Sequence, residues 1–184
     1  MKGQLEVICG PMFSGKSEEL IRRLKRAQIA KQKIIIFKPK IDDRYHKSNV
    51  VSHSGLEIEA QAVAAPIEIL FDAKEYDVVG IDEIQFFNKD IVTIINSLII
   101  VGKRVIVSGL DQDYRQMPFG IVPDLMALAD KIDKLAAICV KCGADATTTQ
   151  RLIDGWPAPY EGETIVVGAN EQYEARCKNC HERY

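Results

Sequence analysis

The feature that most constrains this chain is the run GPMFSGKS at residues 10–17, which lies between an apolar segment and an amphipathic one. It fills all four fixed positions of the pattern G-x-x-x-x-G-K-[ST], which chance produces in a chain this short on the order of one time in a hundred or fewer. The two glycines let backbone N–H groups surround phosphates, and the following helix adds partial positive charge at its N-terminus. We expect Lys16 to reach the β- and γ-phosphates of ATP and the Ser17 hydroxyl to ligate Mg²⁺.

The order of apolar runs predicts the fold around this loop. Buried strands are predicted at residues 5–9, 33–38, 78–81, 104–107 and 134–138, an edge strand at 56–63, and a loop at 41–50. Helices are predicted at 16–31, from a cap at Asn88 to Gly102, and at 125–129. Alternating strands and helices indicate an α/β fold, a P-loop NTPase-type parallel sheet with helices on both faces.

Two carboxylates follow the predicted strand VVGI at residues 78–81. Alone, this pattern is about equally compatible with an acidic turn, but a phosphate loop upstream favours a magnesium-binding strand end. Asp82 then becomes the second acidic partner of Mg²⁺, and Glu83 is placed to take a proton from an attacking hydroxyl. These residues leave open whether that hydroxyl belongs to water or to a substrate, so an ATPase and a kinase both remain possible.

Four of the five cysteines form two C-x-x-C pairs, Cys139 with Cys142 and Cys177 with Cys180. Four sulfurs at this spacing predict a closed, structural Zn²⁺ site, with His181 as a neighbour that could replace one ligand. The composition changes at the first pair, which predicts an ATP-binding domain at residues 1–138 and a small zinc-binding domain at 139–184.

The overall charge and hydropathy exclude several classes of protein. The net charge is −2, so no global field attracts nucleic acid, and the basic residues among 22–26 are predicted to be a solvated helix face. No apolar run reaches the roughly 18 residues that span a bilayer, and the N-terminus is too polar for a signal peptide. We therefore expect a cytoplasmic protein without nucleic-acid or membrane partners.

Together these segments resemble the type II thymidine kinases, a zinc-containing family, over essentially the whole chain. The matching segments are GPMFSGKS at 10–17, DDRY at 42–45, DEIQFF at 82–87, SGLDQDYRQMPFG at 108–120, VGANEQYEARC at 167–177 and the two cysteine pairs. The one departure noted is Ile84, where many members have a small residue. The resemblance implies transfer of the γ-phosphoryl of ATP to the 5′-hydroxyl of thymidine, and of deoxyuridine as well, in a homotetramer inhibited by thymidine triphosphate.

The resemblance also implies a role for each matching residue. Glu83 is the implied catalytic base, and Arg44 is a candidate for stabilising charge. The implied ATP contacts are Gly10, Pro11, Met12, Phe13, Ser14, Gly15, Lys16, Ser17, Asp42, Asp43, Arg44, Asp82, Glu83, Ile84 and Gln85. The implied thymidine contacts are Met12, Phe86, Leu110, Tyr114, Thr149, Thr164, Ile165, Val166, Val167, Gly168 and Tyr173.

Within the thymidine set, residues 164–168 match a lasso loop that reads the base through backbone groups, and Met12 and Thr149 match positions near the thymine 5-methyl group. Phe87, by contrast, is predicted to be a core residue.

Two other functions use the same motifs. A nucleic-acid-stimulated P-loop ATPase with a zinc module would also need the phosphate loop, the acidic pair and the cysteines, but the mildly acidic total charge and the short chain argue against it. An adenylate-kinase-like enzyme would carry its metal module inside the main domain, whereas here the cysteines follow it.

Overall fold

A computed structural model describes residues 3–40, 49–51, 57–162 and 171–183. The strands are β1 (Gln4–Cys9), β2 (Ile34–Pro39), β3 (Asn49–Val51), β4 (Glu57–Glu59), β5 (Gln61–Val63), β6 (Val78–Ile81), β7 (Arg104–Gly109), β8 (Lys131–Lys134), β9 (Ala137–Ile138), β10 (Asp145–Ala146), β11 (Thr148–Ile153), β12 (Trp156–Pro157) and β13 (Glu171–Arg176). The α-helices are α1 (Lys16–Ile29), α2 (Pro66–Asp72), α3 (Asp90–Ile100) and α4 (Val122–Leu128), with a 3₁₀ turn at Ile84–Phe86.

The predicted parallel sheet is confirmed. Six strands in the order β5-β2-β6-β7-β1-β8 pair in parallel. Helix α1 packs Leu20, Leu24 and neighbouring apolar residues on one face of the sheet. Helices α2, α3 and α4 cover the other face, where α3 buries Ile91, Ile95 and Leu98 at helical spacing. This α/β arrangement brings the carboxyl ends of β1, β6 and β7 together at one edge.

The helix starts and ends follow local chemistry. Helix α3 starts at Asp90 with Lys89 at its N-cap position, one residue later than predicted, and the Asn88 side chain accepts a hydrogen bond from the backbone N–H of Asp90. Gly102 follows α3 at a φ of 87°, where a residue without Cβ is least strained. Helix α4 begins at Val122 rather than at residue 125, because Pro123 suits the first turn of a helix.

Two strand predictions and one loop prediction are corrected. The last strand of the sheet is β8 at Lys131–Lys134, and Ala137–Ile138 pairs instead with Asp145–Ala146 in a small hairpin. The apolar run after Lys134 looked like a buried strand, whereas β8 is a charged edge strand, which protects the sheet from further pairing. The segment predicted as one edge strand is two: β4 pairs with β3, and β5 is the edge of the sheet. The predicted loop at 41–50 falls mostly outside the described residues, but Asn49 begins β3.

The prediction of a solvated basic helix face is wrong for Arg23. Its side chain is only 5% exposed and contacts Glu6, Glu19 and Asp133 at 2.8, 2.8 and 2.6 Å. Arg104 contacts the other oxygen of Glu6 at 2.6 Å. A buried guanidinium needs such partners, because an unpaired buried charge is strongly destabilising. This cluster fastens α1 to β1 and β8.

The strands after β8 pair antiparallel. Strands β12, β11 and β13 form a three-stranded sheet, and β9 and β10 form a hairpin. Strand β13 ends at Arg176, directly before Cys177. The division of the chain between residues 138 and 139 stays a prediction.

Candidate active site

The loop at residues 10–17 has the backbone that its glycines predict. Gly10 has a φ of 143°, and a Cβ there would lie 2.4 Å from the carbonyl oxygen of Leu135. Gly15 has a φ of 80° and immediately precedes α1. A side chain at Gly10 would collide with the backbone, and at Gly15 the positive φ alone disfavours a Cβ. The loop therefore presents its backbone at the N-terminus of a 14-residue helix.

Two side chains of the loop bond to the backbone of the loop itself. The Ser14 hydroxyl and the Lys16 ammonium both donate to the carbonyl oxygen of Pro11, at 2.8 and 2.6 Å. Burial lowers the pKa of Lys16, and the negative charges of Glu83 and Asp82 oppose this effect. Phe13 is exposed at a φ of 65°. Lys16 thus lies where the charges of two carboxylates act on it, and its contact with the phosphates of ATP stays a prediction.

The two residues predicted to hold Mg²⁺ are adjacent. The Ser17 hydroxyl donates to Asp82 Oδ2 at 2.9 Å, and the Ser108 hydroxyl donates to Asp82 Oδ1. A serine hydroxyl and a carboxylate are hard oxygen donors of the kind that Mg²⁺ prefers. The residues present therefore fit this ion. They come from α1, the end of β6 and β7, which the strand order of the sheet brings together.

Glu83 adopts a backbone conformation that is unusual for its residue type. It follows β6 at φ 53° and ψ 41°, a left-handed geometry that is found at strained functional positions. Burial raises the pKa of Glu83 to about 6, the charge of Asp82 adds to the rise, and contacts with Gln85 and Lys16 oppose it. A carboxylate tuned toward neutrality has the property of a general base.

The remaining residues of the DEIQFF segment divide between the core and the site. Ile84 is fully buried in the main apolar cluster, and Phe87 packs there too, as predicted. Gln85 is 4% exposed and donates from Nε2 to Glu83. Phe86 meets Phe119 edge to face, with ring centroids 6.0 Å apart.

Two residues assigned to the thymine methyl group lie together although they are far apart in sequence. The backbone N–H of Met12 donates to Thr149 Oγ1 at 3.0 Å. Thr149 is 5% exposed and lies on β11 opposite Ala175. The phosphate loop is therefore hydrogen-bonded directly to the C-terminal strands.

Tyr114 anchors another part of the predicted nucleoside pocket. Its hydroxyl lies 3.0 Å from each of the carbonyl oxygens of Pro159 and Gly162, which share its single proton. The Arg151 guanidinium lies 5.1 Å from the centroid of the Tyr114 ring, and Tyr173 is opposite Arg151 in the β11–β13 pair. Tyr114 thus holds the chain where it leads into residues 163–170.

Two groups of predicted contacts lie outside the described residues. They are Asp42, Asp43 and Arg44, and the lasso residues Thr164, Ile165, Val166, Val167 and Gly168. The sequence reasoning also missed Ser108 and Arg151. Ser108 was detectable as a hydroxyl at the end of a buried strand, whereas only tertiary contact places Arg151 over Tyr114.

The four cysteines of the predicted zinc site converge. Within the described residues, the sulfurs of Cys139, Cys142, Cys177 and Cys180 all lie within 4.8 Å of one another. The Cys142 and Cys177 sulfurs are 3.7 Å apart, which matches the roughly 3.8 Å edge of a tetrahedron with Zn–S bonds of about 2.3 Å. The cluster fits a structural Zn²⁺ ion.

The four thiols differ in how readily they ionise. A backbone hydrogen bond from Cys177 lowers the pKa of Cys139 to about 6, whereas the Cys142 side chain raises the pKa of Cys180 to about 12. Four thiolates at this distance repel one another, so full ionisation requires a cation among them. His181 is a neighbour of the cluster, since its Nε2 lies 2.9 Å from the Tyr114 carbonyl oxygen.

None of the helices in the described part of the chain has the length and apolar character needed to cross a bilayer.

Comparison with known proteins identifies a family for almost the whole chain and a distant likeness to a solved structure. Residues 3–181 match the family described as Thymidine kinase. A solved structure described as the crystal structure of a DNA replication initiation factor is 11% identical, with a TM-score of 0.43. That alignment covers 72% of this chain and 40% of the other, so this chain spans less than half of that protein. A likeness this weak supports no conclusion about fold or function. Because the family match runs from the first strand through the last cysteine, this chain belongs to the thymidine kinase family.

Proposed function

We propose that this protein transfers the γ-phosphoryl group of ATP to the 5′-hydroxyl of thymidine, and also of deoxyuridine, to give the 5′-monophosphate. The observation that carries the proposal is the position of Glu83. It lies just after β6, close enough to Asp82 and Lys16 for their charges to act on it, and burial raises its pKa to about 6. A carboxylate with this pKa can accept a proton near neutral pH. Phosphate binding alone needs no such base.

The proposed reaction assigns one role to each group. Glu83 takes the proton of the 5′-hydroxyl as its oxygen attacks the γ-phosphorus. The bond from the γ-phosphorus to the β,γ-bridging oxygen breaks, and ADP leaves with that electron pair. Lys16 and the backbone N–H groups of residues 10–17 hold the phosphate oxygens, whose charge must be stabilised throughout.

Two metal ions complete the proposal. Ser17 and Asp82 would hold Mg²⁺, which when bound neutralises charge on the phosphate oxygens. Cys139, Cys142, Cys177 and Cys180 would hold one structural Zn²⁺, and this ion would fix the ends of the segment between the two cysteine pairs.

The pocket for the base would lie between the phosphate loop and the C-terminal strands. The hydrogen bond from Met12 to Thr149 supports this location, since it brings the two predicted methyl-contacting residues together. Asp42, Asp43 and Arg44 are proposed at the phosphates, and residues 164–168 at the base. We further propose a cytoplasmic homotetramer in DNA-precursor salvage, without nucleic-acid or membrane partners.

The test is a panel of nucleosides incubated with ATP and Mg²⁺ and scored for monophosphate product. Thymidine and deoxyuridine should be phosphorylated and deoxycytidine should remain poor, because its exocyclic amine is a donor where thymine has an acceptor. Lys16→Met is the matched control and should abolish transfer from the same preparation. ATP hydrolysis that ignores thymidine but rises with added DNA would instead establish the nucleic-acid-stimulated ATPase.

A further inference from the structure

Gln85 uses both ends of its side-chain amide inside the protein. Its Nε2 donates to Oε2 of Glu83, and its Oε1 accepts the backbone N–H of Leu110 at 3.1 Å. The residue is only 4% exposed. An amide buried in this way is committed to its partners, because leaving either end unpaired is unfavourable.

The two contacts also determine which way the amide faces. The Leu110 partner is an N–H group and can only donate, so the amide oxygen must point toward it. The amide nitrogen then necessarily faces Glu83, whose carboxylate can only accept. The orientation therefore follows from the backbone of the loop after β7, and the side chain cannot flip without losing both hydrogen bonds.

Two glycines make room for this arrangement. A Cβ on Gly109 would lie 2.5 Å from Gln85 Oε1, and a Cβ on Gly120 would lie 2.4 Å from the Gln85 carbonyl oxygen. Gly109 belongs to β7, directly before Leu110. Both ends of the 109–120 segment thus approach Gln85 more closely than any other residue type would allow.

We propose that Gln85 is a positioning residue, which fixes the Glu83 carboxylate in the orientation that accepts the 5′-hydroxyl proton. The proposal rests on the proposed function and differs from the role that family resemblance implies for Gln85, a contact with ATP. It also links two parts of the site, because Leu110 and Tyr114 belong to the segment assigned to the nucleoside. A nucleoside packed against that segment would therefore influence the orientation of the Glu83 carboxylate through the Gln85 amide.

The experiment compares Gln85→Met with the unaltered protein in kcat, in KM for thymidine and in the Kd for a non-hydrolysable ATP analogue. Methionine keeps the length and volume of the side chain but removes both hydrogen bonds. Misplacing a catalytic group by about 1 Å can cost about 10²-fold in rate, so kcat should fall about 10- to 100-fold. The analogue Kd should stay within about threefold, because ATP binding does not depend on the orientation of Glu83, and KM for thymidine should rise by much less than kcat falls, because Gln85 reaches the nucleoside only through Leu110.

Gln61→Met is the control, since Gln61 is an exposed glutamine on β5 that contacts Asp72. It should keep unaltered kinetics. A Gln85→Met variant with unaltered kcat would overturn the proposal. So would a loss of analogue affinity equal to the loss of kcat, because Gln85 would then be an ATP ligand. If the unaltered protein makes no nucleoside monophosphate, the proposed function fails. That outcome is distinct from a failure of the positioning role, which is judged on the variants of an active protein.

Gly109→Ala provides a second route that leaves Gln85 in place. Its new methyl group should push the Gln85 oxygen away and lower kcat, in a protein that still binds the ATP analogue. The new methyl group would also lie 2.7 Å from Ile84 Cγ2. In the double variant Gly109→Ala/Gln85→Met, the two losses should still be clearly less than multiplicative, because both displace the Gln85 amide. Fully multiplicative losses, or a folded Gly109→Ala variant with unaltered kcat, would refute the positioning role.

Discussion

Replacing Thr149 tests whether the phosphate loop is stabilised by the C-terminal strands. Thr149→Val keeps the shape of the side chain but removes the oxygen that accepts the Met12 N–H at 3.0 Å. A buried donor left without a partner costs about 1–3 kcal/mol, and because Met12 is half-buried we expect a loss of about 1 kcal/mol. For a chain of this size each kcal/mol corresponds to about 2–4 °C in Tm. Calorimetry should therefore show Thr149→Val melting several degrees below the unaltered protein.

Two further substitutions separate the hydrogen bond from the shape of the pocket. Thr149→Ser keeps the acceptor and should lose only the contribution of one methyl group, about 0.8 kcal/mol. Thr149→Met removes the acceptor and also adds volume beside the proposed thymine methyl position. It should shift the ratio of kcat/KM for thymidine over deoxyuridine by roughly 10- to 200-fold against thymidine, as expected for a methyl-sized clash.

Thr149→Val is the control for that shift, because it loses the same hydrogen bond without adding volume. It should leave the thymidine-to-deoxyuridine ratio near that of the unaltered protein. An unchanged ratio in a folded Thr149→Met variant would place the residue outside the pocket. An unchanged Tm in Thr149→Val would show that the contact with Met12 contributes nothing to stability.

The remaining predictions concern the base, the metal centre and acid stability. Glu83→Gln should bind ATP normally but lose about 10²- to 10⁴-fold in kcat, measured with thymidine, since an amide cannot accept the proton. Cys142→Ser should lose stoichiometric zinc by elemental analysis and weaken thymidine binding more than ATP binding. Arg23→Met should lower the free energy of unfolding, measured with urea at pH 7, by about 3–5 kcal/mol, because it leaves Glu6 buried without a full set of partners. Hydrogen bonds from Arg22 and then Arg23 lower the pKa of Glu19 from 4.5 to about 2, so the unaltered protein should lose this stabilisation as the pH falls from about 4.5 toward 2.

The sign of the acid effect follows from linkage. A carboxylate with a lower pKa in the folded state contributes stability above its unfolded pKa and loses it on protonation. The Arg23→Met variant should therefore show a flatter stability profile over the same interval. An Arg23→Met variant as stable as the unaltered protein at pH 7 would contradict the role of the Arg23 ion pairs. Near-normal kcat in Glu83→Gln would contradict the assignment of the base. Freshly purified protein without zinc would contradict the metal prediction.

The sequence alone determined the features that depend on neighbouring residues. The phosphate loop requires glycines at Gly10 and Gly15 for its backbone, and the structure shows positive φ at both. Each C-x-x-C pair needs only a tight turn to aim two sulfurs together. The buried strands and helices were predicted for the same reason, since the period of apolar residues reports which face of an element is covered.

Only the tertiary structure decided which distant residues meet. The spacing of α1 suggested a solvated basic face, yet Arg23 is buried because β8 brings Asp133 beside it. Strand β8 itself was misplaced, since a short charged edge strand has too little apolar pattern to be found. Likewise, nothing near Gln85 in sequence indicates that Leu110 fixes its amide, nor that Thr149 meets Met12. These contacts depend on strand order and register, which local patterns do not encode, because a hydrogen bond across the sheet is selected by the packing of the whole domain.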